Sequence, residues 1–123
     1  MIITKNLLES VVLTTELSRL CIHESPACPL QVMVLVLAPN ASYPMHYHKT
    51  RSEFYWILEG ELEIALVEQN GLTTKAILSP SKNLGFLMDV GVHHSVKNKS
   101  DNLSCRFLEI RPGPFEPLDN VRL

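Results

Sequence analysis

Glu53-Phe54-Tyr55-Trp56-Ile57-Leu58-Glu59-Gly60-Glu61-Leu62-Glu63-Ile64-Ala65-Leu66-Val67-Glu68 reads as two strands joined by a tight turn. Aromatic and aliphatic side chains fill both halves, and Gly60 can take the positive φ that a hairpin demands. Asn70-Gly71 is a second hairpin signal and leads into a strand over Thr73–Leu78. Upstream, Gln31–Ala38 is a dense β-branched and aliphatic run closed by Pro39-Asn40, and Tyr43–His48 is a short strand. Downstream strands are expected over Leu84–Met88, His93–Lys97 and Leu103–Arg111, after which Pro112, Pro114 and Pro117 end regular structure. Many short strands at regular spacing predict an all-β sandwich or barrel.

Ahead of the strands, Leu7, Leu8, Val11, Val12 and Leu17 fall near helical spacing, which predicts a short amphipathic helix over Lys5–Leu17. The β-branched pairs Val11-Val12 and Thr14-Thr15 weaken it toward its end. In Val32–Leu37 and Glu53–Leu58 both alternating faces are apolar, the signature of strands buried on two sides. One side is the interior; the other must meet the N-terminal helix or a second subunit, so a homodimer is expected.

The chain has 123 residues, enough for one domain with a single core. The expected organisation is a helix at about 5–17, a barrel at about 19–111 and a tail at 112–123. A formal charge of −2 gives no basic patch for nucleic acid, and the apolar run 32–38 is too short to span a bilayer. The first residues lack the pattern of a secretory signal. Cys21, Cys28 and Cys105 are an odd count without a CxxC pair, which predicts buried free thiols and a cytoplasmic home.

His46 and His48 stand two apart on a predicted strand, so both imidazoles leave the same face. The loop 49–52 then reverses the chain, and Glu53 opens the next strand beside them. His94 follows Gly91 near the start of a later strand, with Asn98 four residues on. Neighbouring strand residues face opposite ways, so only one of His93 and His94 can enter the site; the spacing to Asn98 favours His94 and leaves His93 at the surface or behind a ligand. His46, His48, Glu53 and His94 form a three-imidazole, one-carboxylate set without thiolate. Such a set suits one divalent transition metal ion, Fe, Mn, Ni, Co or Zn. Four protein ligands around an octahedral ion leave two positions for water, substrate or dioxygen.

His46-x-His48-x4-Glu53-x6-Gly60 resembles the first motif of the cupins, and Gly91-x2-His94-x3-Asn98 the core of the second. Asn40 stands where the first motif usually has glycine and Asp89 where the second often has proline; neither is a ligand. The resemblance implies a small cupin (double-stranded β-helix, jelly-roll) barrel around one metal. Arg19-x3-His23, Gln31, Ser42-Tyr43 and Glu109-Ile110-Arg111-Pro112-Gly113-Pro114-Phe115 carry a narrower resemblance to the WbuC-type cupin fold metalloproteins. That resemblance implies a setting in bacterial O-antigen or other surface-polysaccharide synthesis.

Tyr55, on the same strand face as Glu53, is a candidate for the pocket wall, as is Tyr43. Arg19 and His23 follow the family pattern and are candidates at the mouth, with packing and capping as their alternatives. Arg106 would pair with an anionic substrate if it faced inward. Three functions compete. One is a metalloenzyme, an isomerase or epimerase, acting on a small oxygenated substrate such as a sugar or sugar nucleotide. The others are an Fe(II)-dependent oxygenase and a non-catalytic ligand-binding or partner-binding module.

Overall fold

The computed structural model describes residues 2–25, 28–68, 70–113 and 119–122. Among the described residues, helix α1, Lys5–Glu9, is followed by ten strands: β1 (Leu17–Ser25), β2 (Cys28–Leu37), β3 (Ser42–His48), β4 (Glu53–Glu59), β5 (Leu62–Val67), β6 (Thr73–Leu78), β7 (Gly85–Met88), β8 (His93–Asn98), β9 (Cys105–Pro112) and β10 (Asn120–Arg122). They form two antiparallel five-stranded sheets, ordered β1-β2-β9-β4-β7 and β10-β3-β8-β5-β6. The two facing sheets give the all-β sandwich that the strand pattern predicts, in the jelly-roll arrangement that the motif resemblance implies. Among the described residues no helix is long and apolar enough to cross a membrane.

The core lies between the sheets. Leu37, Ile57, Leu62, Ile64, Leu78 and Phe107 are all buried there, each from the inward face of its strand. Burying side chains of this size contributes about 1.5–3 kcal/mol apiece. Turns sit where the sequence places them. Gly60 and Gly71 adopt φ of +79° and +81°, and Asn40 is left-handed at φ +61° in the glycine position of the motif.

The N-terminal helix is shorter than its apolar spacing predicts. Thr4 caps it, its Oγ1 accepting from Leu7 N–H at 3.2 Å, and Ser10 closes it by donating to the Leu7 carbonyl at 2.7 Å. The β-branched residues beyond it leave the helix, and Leu17 instead opens β1 opposite Leu37. The segment still covers apolar surface. Val11 packs with Leu8 and Leu13 over the outer faces of Val34 and Val36, which answers what buries the second side of β2.

Two strands have no counterpart in the sequence reading. β1 is an edge strand with register shifts at Cys21/His23 and His23/Ser25, so its side chains follow no clean alternation. β10 lies beyond the prolines that were expected to end regular structure and pairs with β3. Residues 114–118 of the expected tail lie outside the described residues. Of the thiols expected to be buried, Cys105 is, and burial pushes its pKa up to about 12, with Glu59 adding to the rise. Cys21 is free but exposed, because it sits on the edge strand. The side chain of Cys28 lies outside the described residues.

Candidate metal centre

The structure brings His46, His48, Glu53 and His94 together, all buried, with one donor atom from each inside a 4.8 Å span. The three imidazoles come from one sheet. His46 and His48 project from β3, and the register pairs His46 with His94 on β8. Glu53 comes from the other sheet: the loop 49–52 crosses the gap, and β4 starts on the facing wall. The cluster thus ties the two sheets together at one end of the sandwich.

The orientation of the rings favours a cation at their centre. His46 Nδ1 lies 2.8 Å from the Pro44 carbonyl and His94 Nδ1 2.9 Å from the Val92 carbonyl. A carbonyl only accepts, so each Nδ1 carries the proton and each Nε2 turns a lone pair inward. His48 Nε2 stands 2.7 Å from Glu53 Oε1 without the alignment of a hydrogen bond. His94 Nε2 is 3.5 Å from the same oxygen. Buried acceptors aimed at one point without a shared proton are costly unless a cation completes them. Donors about 2.1 Å from one ion stand about 3 to 4 Å apart, and the donor atoms here all lie within 4.8 Å of one another. The residues fit a divalent metal.

Electrostatics point the same way. Burial, reinforced by His94 and then His48, lowers the His46 pKa to about 4, so its ring is neutral and ready to donate at neutral pH. Burial works to raise the Glu53 pKa, but the bond from Glu109 and the close approach of His48 and His94 outweigh it and hold the group ionised. Glu109 moves the opposite way. Its burial and its contact with Glu53 push it well above the usual carboxylate range, against Arg111 and Arg19. The pair therefore holds one proton, carried on Glu109 and donated to Glu53.

A narrow cleft of about 70 Å³ leads to the cluster and is lined by Arg19, Tyr43, Tyr55, Glu109 and Arg111 beside His46 and His48. Tyr55 is at its floor, as the alternation from Glu53 predicts, with its hydroxyl near both Glu53 and His94. Tyr43 lies on the wall, its hydroxyl accepting from Arg122 Nη2 at 3.1 Å. Arg19 reaches the lining from the exposed edge strand.

Two pocket candidates are placed elsewhere. Arg106 faces outward: Nη1 donates to the Leu8 carbonyl at 2.8 Å and Nη2 to the Val11 carbonyl at 3.2 Å. On β9 the inward parity belongs to Cys105, Phe107, Glu109 and Arg111, so Arg106 pins the N-terminal segment instead. His23 does not line the cleft, because the shift after Cys21 pairs it with Val32 and turns it from the inner face. His93 stacks on Tyr47 at 4.6 Å between centroids, away from the cluster.

Sequence reasoning overlooked Glu109 and Arg111 as site residues, although two charged residues at one parity of an apolar strand were a signal. Arg111 Nη1 stands 3.5 Å from Glu53 Oε2, and its Nε donates to Gln31 Oε1. Asp119 left no signal at all.

Residues 33–111 match the family model described as "Cupin domain". The chain is a cupin. No curated protein sequence matches it. Among solved structures, this cupin resembles the capsular polysaccharide assembling protein CapF from Staphylococcus aureus, with a TM-score of 0.80 and 21% identity over 92% of this chain and 32% of CapF. It also resembles oxalate decarboxylase from Bacillus subtilis, a protein with Mn(II) centres, at a TM-score of 0.67 and 20% identity over 87% of this chain and 28% of that one. The chain thus spans about a third of the length of these structures. At such identities the likeness is one of fold.

Proposed function

We propose that this cupin holds one divalent transition metal ion through His46, His48, Glu53 and His94 and acts on a small oxygenated substrate. A sugar or sugar nucleotide of bacterial surface-polysaccharide synthesis, handled in the cytoplasm, is the substrate class that fits best. The convergence of three inward Nε2 lone pairs and a carboxylate oxygen at the base of an open cleft carries the reading. The resemblance to WbuC-type cupins supports the setting, as does the fold shared with a protein that assembles capsular polysaccharide.

A metal bound here would supply Lewis-acid polarisation of substrate oxygens. The chain's own groups supply the rest. Glu109 holds a proton at the cleft wall, where it bonds Glu53 and keeps that carboxylate oriented. Tyr55 keeps its hydroxyl proton, since burial and then the charge of Glu53 push its pKa well up, and so acts as a donor. Arg19 and Arg111 place positive charge along the wall, which suits an anionic group such as a nucleotide diphosphate. Phe107 and Leu35 make the remaining wall apolar and limit water.

The test is metal quantification by mass spectrometry on untagged protein beside the His48→Ala variant, followed by titration of activated sugars into metal-loaded and metal-free forms. About one equivalent of metal, lost in the variant, with sugar binding only in the loaded form, is the expected result. No metal in either protein after anaerobic reloading overturns it and leaves a ligand-binding or partner-binding module. Oxygen consumption with iron and none with zinc would move the assignment to an Fe(II) oxygenase. The same reading includes a homodimer formed through the outer face of the first sheet, where Trp56 and Leu87 are 38% and 63% exposed; a monomeric mass in solution scattering would reject it.

A further inference from the structure

β10 completes the sheet beside the strand that carries two of the imidazoles. It pairs Asn120 with His48, Val121 with Tyr47 and Arg122 with His46, so the edge of the metal strand is covered by the chain's own C-terminal segment. Just before it, the Asp119 carbonyl accepts from Lys49 N–H at 3.0 Å. The Asp119 side chain, 4% exposed, then reaches into the loop that joins the ligand strands.

Every oxygen of that carboxylate is engaged. Oδ1 accepts from both Thr50 N–H and Thr50 Oγ1–H at 2.6 Å, and Oδ2 accepts from Arg51 Nε–H at 2.9 Å. Oδ2 also lies 3.4 Å from His48 Nδ1. The contrast with the other imidazoles is informative. His46 and His94 each have Nδ1 held by a carbonyl two residues earlier on their own stretch of chain. Nδ1 of His48 is buried and makes no hydrogen bond; the polar group facing it is the Asp119 carboxylate, with Oδ2 at 3.4 Å. Metal-ligating imidazoles are oriented through their second nitrogen, most strongly by a carboxylate.

We propose that Asp119 is the positioning residue for His48, so that the C-terminal segment is a working part of the metal centre. The inference rests on the metal reading above. A bond from His48 Nδ1–H to the Asp119 carboxylate fixes the tautomer that leaves Nε2 free, and makes that nitrogen more basic. The Thr50 and Arg51 bonds hold the carboxylate still while it does so.

The test uses Co(II) as the probe, titrated into full-length wild type, Asp119→Asn and Thr50→Val under conditions where far-UV circular dichroism shows each one folded. Affinity is read by competition with a chromophoric chelator, and ligand geometry from the d–d spectrum. Asparagine keeps an oxygen for Thr50 but loses the anionic acceptor, so D119N is expected to bind Co(II) roughly 10–100-fold more weakly, with shifted d–d bands. T50V removes only the hydroxyl bond, while the backbone N–H of residue 50 and Arg51 still hold the carboxylate facing His48, so it is expected to keep the wild-type spectrum and to lose far less affinity than D119N. Equal affinity and spectrum in D119N and wild type would overturn the proposal and leave Asp119 as a structural clasp. An equal loss in T50V and D119N would overturn it too, because tail docking alone would then explain the effect. If wild type itself takes no Co(II), the metal reading fails and this inference with it. Wild type also offers a readout that needs no variant: in the Zn(II)-loaded protein, a low-field Nδ1 proton of His48 is expected by NMR, and its absence counts against the bond.

Discussion

The hydroxyl of Tyr55 stands 3.2 Å from Nε2 of His94, and the same hydroxyl donates to Glu53 Oε1 at 3.3 Å. One phenolic proton thus serves two buried acceptors that also belong to the candidate metal cluster. Tyr55→Phe keeps the ring, which packs edge-on against Phe107 at 5.7 Å, and removes only the hydroxyl. The variant is expected to lose about 1 kcal/mol of metal-free stability in urea denaturation and to retain full metal stoichiometry. Loss of metal in it would make Tyr55 part of the binding set.

Two buried groups in the cluster respond to pH in opposite senses. His46 titrates near 4 in the folded chain but at 6.5 when unfolded, so it contributes stability above pH 6.5 that is lost as pH falls through 4. Glu109 is protonated in the folded chain well above its ordinary value of 4.5, so its contribution is present below 4.5 and declines as pH rises. Between about 4.5 and 6.5 the two offset each other. In chelator, Glu109→Gln is expected to gain stability with rising pH across that window, by up to about 3 kcal/mol, while His46→Gln loses it. Parallel pH profiles for the two variants would show that neither shift is real.

Asn98, the last residue of the second motif, is structural. Its Nδ2 donates to the carbonyls of Leu103 at 2.7 Å and of Leu37 and Ala38 at 3.2 Å, and its Oδ1 accepts from Ser100 N–H at 3.1 Å. The side chain clasps the end of β2 to the loop between β8 and β9. Asn98→Ala should cost about 2–4 kcal/mol in urea denaturation, since it strands buried carbonyls, and should leave metal stoichiometry intact. Asn98→Asp should cost more, because it removes both donors and adds a buried charge. Selective loss of metal in a folded variant would refute the structural role.

Gly60 and Gly71 share a left-handed backbone yet should respond differently to alanine. A Cβ at Gly60 would meet the Ser104 carbonyl oxygen at 2.9 Å, whereas one at Gly71 meets nothing within 4 Å. Gly71→Ala is expected to cost only the left-handed penalty, about 1–2 kcal/mol. Gly60→Ala adds a clash with backbone and should shift the thermal midpoint further. Equal midpoints would mean that the β9 approach relaxes without cost.

The legible part of this protein was local. Alternation along Glu53–Glu59 and the apolar run of Leu62–Val67 set a hairpin, Gly60 set its turn, and the spacing of His46 and His48 set a shared face, because each follows from backbone geometry within a few residues. Those same rules require His93 and His94 to face opposite ways, the spacing to Asn98 favours His94 as the inner one, and the structure buries His94 and stacks His93 on Tyr47. Register shifts hid the parity of β1, so the sequence left open whether His23 reaches the mouth or packs away from it. Parity on β9 was settled only when pairing with β2 and β4 put Glu109 and Arg111 inside and Arg106 out.

The sequence by itself determined the strand periods, the turns and the donor types that make this chain a cupin with a candidate metal set. Only the tertiary structure decided that Glu53 faces the imidazoles from the opposite sheet, that Glu109 shares its proton, and that Asp119 returns from the C-terminus to His48. The physical reason is separation. A period of two or a positive φ is written in neighbouring residues, but a contact between positions 48 and 119 exists only once two sheets have packed and a last strand has found its edge.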